Sequence, residues 1–200
     1  MTRARPYDRE AALDAAMTLF WAKGYHATSL KDLESALNMK PGSIYAAFSS
    51  KESLFRAALE KYFTTMNTTM STELNGAESA LGALADYIRI MGRTAADDPH
   101  RSACMLIKTL LGVTSADGII ADDARQYLDQ MLAAFEAQFE RSKNLGELPA
   151  DTDCHRLARR YQASISALKI EMHRGTKPNE LAALADDMAS EFEALRVKPN

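Results

Sequence analysis

Only two cysteines, Cys104 and Cys154, occur in 200 residues. That is too few for a disulfide framework, and neither has the paired spacing of a structural zinc site. Long apolar runs are also missing: nothing approaches the roughly 18 residues that would cross a bilayer, and Met1 to Arg9 lack the hydrophobic region of a signal peptide. A cytoplasmic protein without a membrane partner is expected. Glycine and proline are sparse, and most of them sit at junctions between segments. The four histidines, His26, His100, His155 and His173, are dispersed. There is no nucleophile elbow, phosphate-binding glycine loop or HExxH pair, which argues against an enzyme. Cys154 and His155 adjoin, but neighbours on a helix point about 100° apart, and no second Cys/His pair completes a ligand set. No metal and no cofactor are expected.

What the chain does have is apolar residues three or four apart along nearly all its length, which predicts an all-α fold of about nine helices. With 46% hydrophobic and 26% charged residues there is ample material for a buried core. The net charge of -3 is unevenly spread. Residues 1–62 carry nine Lys/Arg against seven Asp/Glu, and the remainder is acidic. A basic end on an acidic body suits contact with nucleic acid by that end.

The first helix is predicted from an Asp8 cap to Gly24, with Leu13, Met17, Phe20 and Trp21 inward and Gly24 in a left-handed position. A short second helix follows Thr28-Ser29, capped by Ser29 with Asp32 three residues on, and buries Leu30, Leu33 and Leu37. Asn38-Met39 form a tight turn, since Asn tolerates the left-handed conformation. Pro41 suits the first turn of a third helix, 41–48, that buries Ile44 and Phe48. Ser49 with Glu52 reads as the capping box of a fourth helix, about 50–72. Longer helices are then expected at about 77–97, 100–113, 120–143, 153–173 and 178–195.

Two short helices joined by a tight turn, with an amphipathic helix before them, describe a helix-turn-helix whose second helix enters the major groove of DNA. Its outer side offers Lys40, Gly42, Ser43, Tyr45, Ala46 and Ala47. Small residues there allow close approach to base edges and thymine methyls, and the cation and phenol can reach phosphate.

The stretch from Thr28 to Phe55, TSLKDLESALNMKPGSIYAAFSSKESLF, preceded by Ala16 to Tyr25, resembles the DNA-binding domain of the TetR/AcrR family of repressors. The resemblance implies a homodimer of all-helical subunits that binds palindromic double-stranded operator DNA and responds to an inducer. Residues 1–52 would form the DNA-binding domain and 53–200 a sensing and dimerising domain. Matched to the family pattern, Thr28, Tyr45 and Lys51 are expected at phosphates, the last at a helix N-terminus that also favours an anion. Pro41, Gly42 and Ser43 are expected near base edges. Ala46-Ala47 stand where relatives often carry aromatic or histidine side chains, so this helix has less to hydrogen-bond bases with. An activator, or an adaptor that has lost operator binding, is the alternative. Arg3 and Arg5 could reach the minor groove.

The run Ser102-Ala-Cys-Met-Leu-Ile-Lys108 and the tract Gly146-Glu-Leu-Pro-Ala-Asp151 are similar to a subgroup in which a cysteine opens the sixth helix. With His100, Arg101 and Lys108 near it, the Cys104 thiol would be acidified and open to electrophiles or oxidants; as a buried residue it would simply pack. A pocket for an unidentified small-molecule inducer is expected around Met66, Tyr87, Met91, Met105, Tyr127, Met131, Tyr161 and Gln162. The last two helices, with Leu157, Tyr161, Ile165, Leu168, Leu184, Met188 and Phe192 at helical spacing, are expected to dimerise.

Overall fold

A computed structural model describes residues 8–94 and 103–197. Nine helices and no strand are found among the described residues: α1 (Arg9–Lys23), α2 (Leu30–Leu37), α3 (Pro41–Phe48), α4 (Lys51–Leu74), α5 (Ala80–Thr94), α6 (Met105–Gly112), α7 (Gly118–Asn144), α8 (Cys154–Arg174) and α9 (Pro178–Glu193). The all-helical expectation holds. Helix α5 begins at Ala80 rather than 77, and residues 103 and 104 precede α6 instead of belonging to it, because an apolar repeat does not mark where hydrogen bonding starts.

The chain forms two compact units, residues 1–65 with 105–125, and residues 66–104 with 126–200. This differs from a single cut near residue 52. In the first unit, side chains from the 105–125 stretch attach to the helix-turn-helix. Arg56 of α4 makes a two-pronged pair with Asp123 of α7, at 2.6 and 3.2 Å. Lys108 of α6 donates to the carbonyl oxygens of Trp21 and Ala22 at the end of α1. A cation there also meets the negative end of the helix dipole.

The core of the first unit is built from Leu13, Ala16 and Phe20 of α1, Leu33 and Leu37 of α2, Ile44 and Phe48 of α3, and Leu54, Phe55 and Leu59 of α4. Phe20 meets Phe55 edge-on at 4.9 Å. In the second unit Tyr161 is the centre of an aromatic cluster with Phe135, Phe139 and Phe192, at 4.8, 5.8 and 5.1 Å between ring centroids. Helix α5 lies so close to α9 that a Cβ on Gly92 would stand 2.3 Å from the Ala185 methyl. Only glycine fits. Glu147, buried between α7 and α8, accepts from the Leu81 amide at 2.9 Å and from Arg196 at 2.9 Å. It thereby ties the start of α5 to the end of the chain. Burial would raise its carboxyl pKa, but Ser79, the Leu81 amide and Arg196 outweigh that and hold it below the ordinary value.

Candidate nucleic-acid interface

The second and third helices are positioned by local chemistry that is visible in the sequence. Asp8 caps α1 by accepting from the amides of Glu10 and Ala11. Ser29 and Asp32 form the reciprocal capping box of α2. Asp32 also holds Lys23 at 2.6 Å, and these contacts, Lys23 foremost, keep its carboxyl well below the usual carboxylate range. Asn38 takes the left-handed conformation, φ 49° and ψ 45°, so the chain turns within three residues into α3. Gly24 has positive φ, 81°, but its ψ of 172° is extended rather than left-handed helical.

Along α3, Ile44 and Phe48 point into the core, while Lys40, Gly42, Ser43, Tyr45 and Ala46 are exposed and Pro41 and Ala47 half-buried. Tyr45 keeps 43% of its surface open, which is a large exposed apolar area with nothing in the unit to cover it. Nothing lies within 4 Å of where a Gly42 Cβ would be. The fold therefore makes no demand on that position.

Two predicted details are corrected. The cap of α4 is Ser50, whose Oγ accepts from the Ser53 amide at 3.0 Å, and Ser49 takes no part in it. Ser49 instead has φ 66° and ψ -48°, and the Ser50 amide donates to the Phe48 carbonyl at 2.8 Å. That is a γ-turn of the strained hand, which no composition signal marks. Thr28 has no exposed surface. Its hydroxyl donates to the Gly24 carbonyl at 2.7 Å, closing the α1–α2 loop. The side chain serves the loop and leaves the exposed set. Lys51 is half-buried, with its ammonium 4.7 Å from the ring centroid of Tyr25. Arg3 and Arg5 lie outside the described residues.

An exposed, small-residue helix held by an αL turn on a three-helix core is the geometry of a groove-reading helix. Residues 12–58 match the model of bacterial regulatory proteins of the tetR family, and residues 80–188 match the tetracyclin repressor-like C-terminal domain. The chain belongs to the TetR family of transcriptional regulators. It is 32% identical to the transcriptional repressor ComR of Escherichia coli K12 over 194 residues, 92% of this chain and 89% of that one. It is 32% identical to the regulator YezE of Bacillus subtilis 168 over 161 residues, 80% of this chain and 82% of that one. Among solved structures, a cysteine mutant of the TetR-family regulator CifR, complexed with 26-bp double-strand operator DNA, superposes with a TM-score of 0.87 at 30% identity. It covers 94% of this chain and 98% of its own. The reduced form of E. coli NemR, at 16% identity and TM-score 0.80, shares the fold.

The expected sensor residues of this TetR-family chain are divided between the two units. Met105 belongs to the first unit and Met66, Tyr87, Met91, Tyr127, Met131, Tyr161 and Gln162 to the second. Tyr161 is fully buried in the aromatic cluster, and its hydroxyl donates to the Leu84 carbonyl at 2.6 Å. Desolvation raises its pKa well above the ordinary phenol value. The Gln162 amide donates to the Leu128 carbonyl at 2.9 Å. Both are used by the fold, which helical spacing does not distinguish from pocket lining. Tyr87 is buried, and its phenol is pushed up to about 12 by burial first, then by Cys104 and Glu73. Cys104 is buried and immediately ahead of α6. Lys108, expected to acidify that thiol, is instead committed to the α1 carbonyls. His100 and Arg101 lie outside the described residues. A cavity of about 340 Å³ opens elsewhere in the second unit, lined by Leu148, Pro149, Asp151, Arg156, Arg160 and Leu195 among others.

The predicted dimer stripe is also largely internal: Leu157, Tyr161, Ile165, Leu168 and Phe192 are buried within one chain. Left outward are Ile170 of α8, 60% exposed, and the part-exposed Leu184 and Met188 of α9. The free cysteines are both buried. No cluster of three metal-ligating side chains occurs among the described residues, and no described helix is long and apolar enough to cross a membrane.

Proposed function

We propose that this regulator is a repressor that binds palindromic double-stranded operator DNA as a homodimer and is released by a small-molecule inducer or by modification of Cys104. The observation that carries the reading is the exposed face of α3. Lys40, Gly42, Ser43, Tyr45 and Ala46 form an exposed surface that the core does not use, beside the half-buried Pro41 that opens the helix, at the position where a helix-turn-helix meets base edges and phosphates. Lys51 at the start of α4 adds a cation beside it. The operator complex of CifR supports the same mode of binding.

A second copy would cover the apolar area at Ile170, Leu184 and Met188, so α8 and α9 are the proposed dimerisation elements. Cys104 is joined directly to α6, and Lys108 of α6 grips the end of α1. Modification of the thiol, or binding of an inducer, would move α6 and so alter the spacing of the two α3 helices. Operator affinity depends on that spacing matching about one turn of DNA or a multiple of it.

The test is a gel shift on the DNA upstream of the protein's own gene. A site-specific, salt-sensitive shift is expected, and its absence contradicts the reading. Adding an electrophile should release wild type and spare Cys104→Ser; equal release of both removes the thiol from the mechanism and leaves a non-covalent inducer.

A further inference from the structure

The cations of the first unit have unlike partners. Lys23 is paired with Asp32, Lys61 with Glu10 and Asp14, and Arg56 with Asp123, all through carboxylates at 2.6 to 3.0 Å. Lys51 instead rests on the face of Tyr25, 4.7 Å from its centroid. A carboxylate partner would compete with DNA phosphate for the ammonium. An aromatic face attracts the cation through its quadrupole and leaves the charge unneutralised.

Tyr25 is itself braced. Its ring meets Phe55 edge-on at 5.1 Å and the His26 imidazole at 5.0 Å. The Nε2 of His26 shares a hydrogen bond of 2.7 Å with Oδ2 of Asp117. That same oxygen accepts from the amide and hydroxyl of Thr114, at 2.8 and 2.7 Å, in the turn between α6 and α7. The Asp117 carboxyl is held low by these Thr114 bonds and by His26. Asp117, His26, Tyr25 and Lys51 thus form an unbroken side-chain row from the α6–α7 turn to the first residue of α4.

We infer that Tyr25 is a positioning residue for the phosphate contact of Lys51, and that His26 and Asp117 brace it from the α6–α7 turn. The inference rests on the operator-binding reading and goes beyond it. A free lysine loses considerable rotamer freedom when a phosphate immobilises it. One already restricted over a ring loses less on binding, so the contact is stronger for the same geometry. Burial also lowers the Lys51 pKa, consistent with an ammonium partly withdrawn from water, with Asp32 opposing that shift.

The experiment uses the full chain and a duplex that wild type selects from a random-sequence library, with affinity measured by anisotropy over a range of salt. Tyr25→Phe should bind within two-fold of wild type. Tyr25→Leu should bind roughly ten-fold more weakly, and the slope of log affinity against log salt should flatten by about one per subunit. In the double variant with Lys51→Met, the loss should equal that of Lys51→Met alone. Additive losses, an unchanged slope, or equal damage from Phe and Leu would overturn the inference while leaving operator binding intact. A wild-type chain that selects no duplex would end both. Should Tyr25→Leu not fold, the ε-methylene protons of Lys51 in free wild type decide: ring-current displacement upfield of the other lysines is expected, and an ordinary lysine shift contradicts the stacking.

Discussion

The two compact units treat their functional candidates in opposite ways. In the first, α3 presents Lys40, Gly42, Ser43, Tyr45 and Ala46 to the outside, and the core closes without them on Ile44 and Phe48. In the second, Tyr161 and Met131 are buried, and Tyr161 and the half-buried Gln162 each donate to a backbone carbonyl. Surface that a fold does not need is free to be specialised for a partner, whereas a side chain that bonds a backbone carbonyl in the core is constrained by stability first. Substitutions of these second-unit side chains should therefore register as stability, and substitutions on α3 as loss of DNA.

The largest stability effect is expected at the α5–α9 crossing. Gly92→Leu must push α9 away from its 2.3 Å approach at Ala185, at a cost of roughly 3 kcal/mol or more by overpacking, read by denaturant unfolding. Glu147→Gln should cost about 2 kcal/mol, because charge-assisted bonds to Arg196 and the Leu81 amide are weakened in a buried setting. Its pH dependence has a definite sign. A carboxyl whose pKa is lowered by folding stabilises the protein above the unfolded value, and that stability is lost as pH falls through the folded one. Wild type should thus lose its advantage over the Gln variant only on acidification below the ordinary glutamate range, about 4.3. Tyr161→Phe should cost about 1 kcal/mol through the lost bond to Leu84, with inducer response unchanged; an altered response without loss of stability would restore Tyr161 to a binding role. Smallest is a gain: Ser49→Gly, relieving φ 66° in the γ-turn after α3, should stabilise by roughly 0.5 to 1 kcal/mol.

The legible parts of the molecule were those governed by short-range chemistry. The Ser29/Asp32 box, the Asn38 turn, Pro41 opening α3 and the inward Ile44 and Phe48 all follow from nearest neighbours in the chain. Ser49 and Ser50 show the limit, because either serine can cap a helix, Ser49 has the Glu52 of a capping box, and yet the backbone places the cap at Ser50. Thr28 shows another, since a hydroxyl at a helix start can reach outward or back to the Gly24 carbonyl. Of the candidate interface, Lys51 was visible but its Tyr25 platform was not, because 26 positions separate the two. In the second unit, a stripe such as Leu157, Tyr161, Ile165 and Leu168 marks a face as apolar without saying whether its own chain, a second copy or a ligand covers it. Within the first unit, Arg56–Asp123 and Lys108 with the α1 carbonyls join the 105–125 stretch to α4 and α1, long-range pairs without a local signature.

The central claim, that the outer face of α3 serves DNA and not the fold, is tested most directly at Gly42. Space around its Cβ position is open, and leucine is the better helix former. Gly42→Leu should therefore unfold at or above the wild-type midpoint while its affinity for the selected duplex falls on the order of a hundred-fold, a close approach to the bases being blocked. A variant that melts like wild type and still binds that duplex with wild-type affinity and specificity would contradict the account.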